Sequence, residues 1–231
     1  MSYAQIYVMN ADGSDQTKLL EKSGMSSQPT WSPNSKDIAF ALFGADDGGC
    51  SIYSMDADGL GNRSTLAALE ECLAIDSLAW SPDGRKIALE VTGDYDTADI
   101  WVVNVSGRTG ETNQPRQLTH APHSWRNVNP TWSPDGTKIA FAGDRDIYTI
   151  DVNTLKETRL TNSADFEHDP TWSADGEQIA FVRDNSATSS SAIYVTRFDG
   201  SDLSLVRNFQ LGDGEMEYDG RTIRLDWRSL P

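Results

Sequence analysis

The chain is poor in the residues that most catalytic and metal centres need. Of its 231 residues only 3 are histidine and 2 are cysteine. Cys50 and Cys72 stand apart, form no CxxC pair and match no zinc or iron–sulfur spacing. They make one disulfide if the chain is exported, or remain two thiols. Positive charge is also scarce: 19 Lys and Arg face 35 Asp and Glu, a formal net charge of −16. Such a field repels phosphate backbones, so nucleic acid and anionic membrane surfaces are excluded as natural partners. No apolar run nears the ~20 residues that span a bilayer, so membrane insertion by a helix is excluded too. The start, MSYAQIYVMNADG, lacks the basic and apolar blocks of a secretory leader. No G-x-S-x-G elbow, Walker loop or G-x-G-x-x-G turn occurs. These gaps predict no catalytic residues, no cofactor, no metal and no enzyme.

What the chain has is a phrase written four times. PTWSPDGTKIAF runs from Pro130 to Phe141, and its variants begin at Pro29, Leu78 and Pro170. Trp31, Trp80, Trp132 and Trp172 head the copies at spacings of 49, 52 and 40 residues, in the range of propeller blades. Trp227, 55 residues beyond Trp172, opens what reads as a further copy. A second phrase recurs between them: IYVMNADGS at Ile6, IYSMDADG at Ile52, IWVVNVSG at Ile100, IYTIDVNT at Ile147 and IYVTRFDGS at Ile193.

Both phrases read as hairpins. β-Branched and aromatic residues dominate KIAFA and IYVMN over strand-length runs, bounded by turn residues. In SPDG the proline fixes φ, the aspartate tolerates the bend and the glycine supplies a positive φ. One repeat is therefore strand a (PTW), a turn, strand b (IAF), a loop, strand c (IYVM), a turn, and strand d (TKLL, RQLT, TRLT). Only STLAALEECLAID offers a helical pattern, enough for one short helix. The reading is all-β: a single domain over residues 1–231, a β-propeller of four-stranded antiparallel blades. About five blades are expected, four complete and one composite of the N-terminal strands (Ile6 to Leu20) and a C-terminal strand (Thr222 to Trp227) that together close the ring. An incomplete part of a larger ring is the alternative.

W-S-P-D-G-x-x-I-A-F followed by I-Y-V-M-N-x-D-G resembles the WD-like β-propeller repeat of TolB-type proteins, over nearly the whole chain, and the final DWRSLP resembles the way such chains finish. The resemblance covers the propeller portion only, without the N-terminal domain of TolB. It implies a non-enzymatic, protein-binding scaffold in the periplasm or outside the cell, a cytoplasmic location being the alternative. Similar repeats occur beside hydrolase domains and in metal-dependent lyases, which is the runner-up role; the other is a fragment of a larger propeller protein.

The repeated turns are structural candidates, because a turn is needed once per blade and a catalytic group is not. Asn10, Asp12, Ser14 and Glu21 fall at calcium-loop positions, but Asp15 stands where that loop needs glycine, so they read as a hairpin. His120 and His123 lie in a loop, and His168 just ahead of strand a. Function is expected in the b–c and d–a loops, which do not repeat. Their acids include Asp46, Asp47, Glu70, Glu71, Asp94, Asp96, Glu167, Asp213, Glu215 and Glu217. The partner-binding candidates are Trp125, Arg126, His123, Asp46, Asp47, Asp94 and Asp96, since Trp and Arg anchor interfaces and the acids favour a basic protein or peptide. The chain is expected to be a monomer.

Overall fold

Strands joined by tight turns are what this alternation produces. The computed structural model describes residues 5–19, 25–26, 29–43, 49–58, 63–70, 72–93, 97–105, 114–122, 126–185, 187–188 and 190–210, and among them there is no helix. The chain divides into two compact units, Met1–Ser124 and Trp125–Pro231.

In the first unit β1 (Tyr7–Val8) and β2 (Thr17–Lys18) form a hairpin. β3 (Met25–Ser26) and β4 (Thr30–Trp31) both pair with β5 (Asp37–Phe43), which continues into β6 (Cys50–Asp56) and β7 (Ser64–Leu69). A second sheet holds β8 (Ala74–Trp80), β9 (Lys86–Thr92), β10 (Ala98–Asn104) and β11 (Arg116–Gln117) in chain order. The second unit has two more such sheets: β12 (Asn127–Trp132), β13 (Lys138–Gly143), β14 (Asp146–Asp151) and β15 (Glu157–Arg159), then β16 (Phe166–Trp172), β17 (Gln178–Asn185), β18 (Ser190–Arg197) and β19 (Ser204–Gln210). Each is an antiparallel meander, the form of a propeller blade. The hairpin β1–β2 is a two-stranded sheet where the sequence predicts the N-terminal share of a composite blade; Thr222–Trp227, its expected partner, lies outside the described residues.

Two expectations need correction. STLAALEECLAID forms strands β7 and β8, not a short helix. Its leucines and alanines pair along β6 from Cys50↔Leu69 to Ser54↔Ser64, and burial on the sheet overrides their helix propensity. Several stretches assigned to d–a loops are also strand: Asn127–Asn129 in β12, Phe166–Asp169 in β16 and Arg207–Gln210 in β19. In the sequence, strand a reads as beginning at proline, because proline cannot donate to a ladder. In β12 and β16 a bulge accommodates it: the register shifts between Val128 and Thr131 and between His168 and Thr171, with Asn129 and Asp169 at φ 55° and 52°.

The SPDG turns have one internal wiring. Ser81 donates to Asp83 Oδ1 (2.6 Å), which also accepts from the Arg85 amide (3.0 Å), while the Lys86 amide donates to Ser81 Oγ (2.9 Å). Ser133 with Asp135 and Ser173 with Asp175 repeat it, and Ser32 with Asn34 reproduces it in the variant first copy. The serine hydroxyl chiefly, then a backbone amide, holds Asp83 below the usual carboxylate range, and the serine hydroxyl likewise dominates at Asp135 and Asp175. Their contribution is present above about pH 3.8 and lost as pH falls through the depressed values.

Apolar side chains gather between neighbouring sheets of each unit. Ile52, Ile75, Ile87 and Leu89 lie in one such core, Ile147, Trp172, Ile179 and Phe181 in another, and Ile6, Ile38 and Phe40 between the first hairpin and β5–β6. Phe40, Phe141 and Phe181 on strands b stack on Tyr53, Tyr148 and Tyr194 of strands c, with centroids 5.7–6.0 Å apart. Trp80 and Trp172 also donate from Nε1, each at 3.3 Å, to the carbonyls of Thr30 and Thr131 in the preceding sheet. Trp31, at the head of the first sheet, is 49% exposed.

Cys50 and Cys72 are joined in a disulfide, which settles a choice that composition left open. The start of β6 and the segment ahead of β8 bring their Cα atoms to 5.7 Å, and both residues are buried. Gly49 is required beside it, since a Cβ there would meet the Leu69 carbonyl oxygen at 2.4 Å. Closing a 22-residue separation restricts the unfolded chain, so replacing both cysteines by alanine is expected to lower stability by about 3 kcal/mol. Urea unfolding of the oxidised chain and the double variant measures this; a difference below about 1 kcal/mol would show that the link is incidental.

Candidate functional site

The opposite end of each blade from the SPDG turn is where the sequences diverge, and there polar groups are buried. Strand c opens with an acid in two sheets. Asp99 Oδ1 accepts from Thr119 Oγ1 (2.7 Å) and the Ala121 amide (2.8 Å), and Oδ2 accepts from Gln117 Nε2 (3.1 Å). Thr119 in turn accepts from the Ile100 amide at 2.9 Å. Asp146 repeats the clamp: the Ser163 amide donates to it at 2.8 Å, the Arg159 guanidinium bonds its other oxygen, and Thr161 accepts from the Ile147 amide at 2.9 Å. Each clamp pins the start of the following connection to strand c. Its sequence signal is Asp-Ile before an aromatic, answered by Leu-Thr just past strand d.

Glu167 lies next to this clamp, fully buried in β16. Its Oε1 accepts from Arg183 Nε (2.8 Å) and Nη2 (2.6 Å), and Thr161 donates to Oε2. Burial pushes the Glu167 carboxyl above its ordinary range, and the bonds from Thr161 and Arg183 draw it part of the way back. The Arg183 guanidinium also rests on the Tyr194 ring, 4.0 Å from its centroid.

His168 is mostly buried and uses both ring nitrogens: Nδ1 is 2.8 Å from Asp169 Oδ2 and Nε2 is 3.0 Å from Asp184 Oδ2. Asp184 also accepts from Ser191 Oγ at 2.5 Å. Burial alone would lower the His168 pKa; the hydrogen bond and charge of Asp169, with those of Asp184, outweigh it and leave the pKa raised. Phe166 lies against the imidazole, centroids 5.4 Å apart, with 47% of its surface exposed. Asp144 and Arg145, both exposed and both at positive φ (43° and 74°), form the neighbouring b–c turn, where the Arg145 carbonyl accepts the Glu167 amide at 2.9 Å.

Of the sequence-predicted partner residues, Arg126 is exposed just ahead of β12. His123, Trp125, Asp46, Asp47, Asp94 and Asp96 lie outside the described residues, as do Glu71, Asp213, Glu215 and Glu217. Glu70 is exposed after β7. Glu167 is a correction: counted among the acids of an exposed loop, it is instead buried and paired, because the bulge at Asp169 extends β16 back over it. Sequence reasoning misses the Glu167–Arg183 pair and the reach of His168 to Asp184, since each pair lies 16 residues apart on neighbouring strands.

Chemically, these groups satisfy one another. His168 would have to release a carboxylate to ligate a metal, and among the described residues no group of three His, Cys, Asp or Glu is placed to hold one. Asp144, Arg145, Asn162 and Phe166 are exposed above these hydrogen-bonded groups.

The TolB β-propeller domain model matches residues 2–146 and 126–225. A TolB homologue of Chlorobium luteolum is 27% identical over 157 residues, 66% of this chain and 32% of that protein. Among solved structures, TolB of Acinetobacter baumannii superposes with a TM-score of 0.65 at 22% identity, covering 87% of this chain and 48% of that one. An oligogalacturonate lyase in complex with manganese shares the fold at TM-score 0.67 and 14% identity, covering 94% and 62%. The chain spans 32% to 59% of the length of the curated relatives that head its matches. The chain belongs to the TolB β-propeller domain family.

Proposed function

We propose that the chain is a non-enzymatic propeller, one domain over its length, that binds a basic protein or peptide through the loop-bearing ends of its blades. The observation that carries this is the contrast between the two ends of the sheets. The SPDG ends repeat one self-satisfied turn, whereas the loop ends differ from blade to blade and present Phe166 and Arg145 over a fixed ionic base. The formal charge of −16 adds a field that favours a cationic partner. Membership of the TolB family supports a binding role over a catalytic one. An exported location, periplasmic or extracellular, is supported by the family and by the buried Cys50–Cys72 disulfide, because such bonds persist in oxidising compartments. A metal-dependent lyase role draws on shared fold alone, and the committed nitrogens of His168 do not favour it.

The test is capture of proteins from an extract of the source cells by the immobilised chain, followed by affinity measurement on the species captured. Trp125→Ala with Arg126→Ala, and separately Asp94→Asn with Asp96→Asn, are expected to weaken binding at least about tenfold, the loss of one anchor. Raising the salt is expected to weaken the wild type further. Capture that is unchanged in both double variants removes the loop-face reading.

A further inference from the structure

His168 is placed so that its protonation state is dictated by its neighbours. Ionised carboxylates only accept hydrogen bonds, yet one flanks each ring nitrogen, at 2.8 Å and 3.0 Å. Both bonds form only if the triad of His168, Asp169 and Asp184 holds one proton more than a neutral ring with two carboxylates. Imidazole, ordinarily near pH 6.5, takes that proton ahead of a carboxyl near about 3.9. The surrounding charges reinforce the assignment. On β16 and β17 Glu167 is paired with Arg183, and Asp146 of β14 with Arg159 of β15. Asp144, Arg145 and Asp165 are the remaining charged groups of the adjoining turns, Arg126 is exposed ahead of β12, and the nearby β12 and β18 groups, Asn127, Asn129 and Ser191, carry no charge. The ring therefore serves as the shared counter-ion of Asp169 and Asp184.

We propose that His168 is an imidazolium cross-link between β16 and β17, and that its deprotonation releases the loop end of that sheet as a pH-sensitive switch. Without the second proton one ring nitrogen turns a lone pair toward a carboxylate, and two anions face each other across a mostly buried ring. The release falls on the bulge, where Asp169 sits at φ 52°, in the left-handed region that few non-glycine residues occupy. Phe166, tilted against the imidazole, and Ser191, bonded to Asp184, move with it. The raised folded-state pKa fits: the stabilisation is complete below the unfolded value near pH 6.5 and lost as pH rises through the folded one.

The experiment is long-range ¹H–¹⁵N spectroscopy of the histidine rings of the full chain from about pH 5 to about 9, combined with amide exchange. The chain has 3 histidines, and His168→Gln identifies the signal that disappears. At neutral pH both His168 nitrogens are expected to be protonated, and the ring to titrate above the ordinary range. Through the same transition, exchange at residues 166–169 and 184, corrected for intrinsic rates, accelerates at least about tenfold, the equivalent of one pKa unit. In His168→Gln the corrected exchange is flat with pH. A single neutral tautomer at pH 7 overturns the cross-link. A ring that titrates while corrected exchange stays unchanged overturns the switch. The spectra of the unaltered protein decide both, even if the variant does not fold.

Discussion

Arg183→Leu is expected to lower the unfolding free energy by about 3–5 kcal/mol, toward the lower figure because the arginine keeps some solvent contact. The substitution removes both bonds to Glu167 Oε1, at 2.8 Å and 2.6 Å, and leaves a fully buried carboxylate with Thr161 alone. Glu167 must then stay charged without a counter-ion or take a proton that burial already favours. The variant is thus expected to recover part of its loss on acidification, when the stranded group is neutralised. A second substitution, Glu167→Leu, is expected to restore much of the stability, because an apolar pair is no worse than an ion pair once desolvation is counted. A urea double-mutant cycle measures all three. Should Arg183→Leu fall within about 1 kcal/mol of the unaltered chain, Glu167 is solvated and the buried pair is not a structural element.

Phe181→Ala is expected to cost a comparable amount, about 3–5 kcal/mol, by a different route. Phe181 is fully buried among Leu160, Trp172 and Ile179, and its ring stacks on Tyr194 at 6.0 Å. Truncation loses the transfer free energy of the ring and leaves a cavity that flanking strands, tied on both sides by ladders, cannot collapse into. Tyr194 also carries the Arg183 guanidinium on its ring, so the Phe181 and Arg183 effects are expected to be non-additive. Chemical denaturation of the two single variants and the double checks both statements. A loss below about 1.5 kcal/mol for Phe181→Ala would mean that the site repacks.

The strands and the turns are legible in the residues because each blade states them again. Ile-Ala-Phe and Ile-Tyr-Val mark strands b and c, and Ser-Pro-Asp-Gly marks the hairpin that ends strand a. Expectation and structure part where a local rule is overruled by a partner distant in sequence. Ser64–Leu69 has residues that suit a helix, but β6 offers it a ladder. Glu167 stands shortly before a proline and reads as loop, but the bulge at Asp169 carries the strand past Pro170 and turns the acid inward toward Arg183. Cys50 and Cys72 have no pairing signal of their own; the register of β5–β6–β7 and the entry to β8 decide that they meet. Buried charge pairs depend on which strands lie side by side, and no periodicity encodes that. Of the partner-binding candidates only Arg126 falls among described residues, where it is exposed.

The tryptophan bonds have a consequence for how such a chain can grow. Trp80 and Trp172 each reach back to a main-chain oxygen one residue ahead of the tryptophan in the previous sheet. A backbone carbonyl is offered by any side chain, so the junction asks nothing of its predecessor beyond having the same shape. Whole repeats joined in this way can therefore be duplicated, deleted or exchanged during evolution with the junction left chemically alike, whereas a cut inside a repeat breaks the grammar. Variation is channelled into copy number and into the connections, and the scaffold stays recognisable while its specificity drifts.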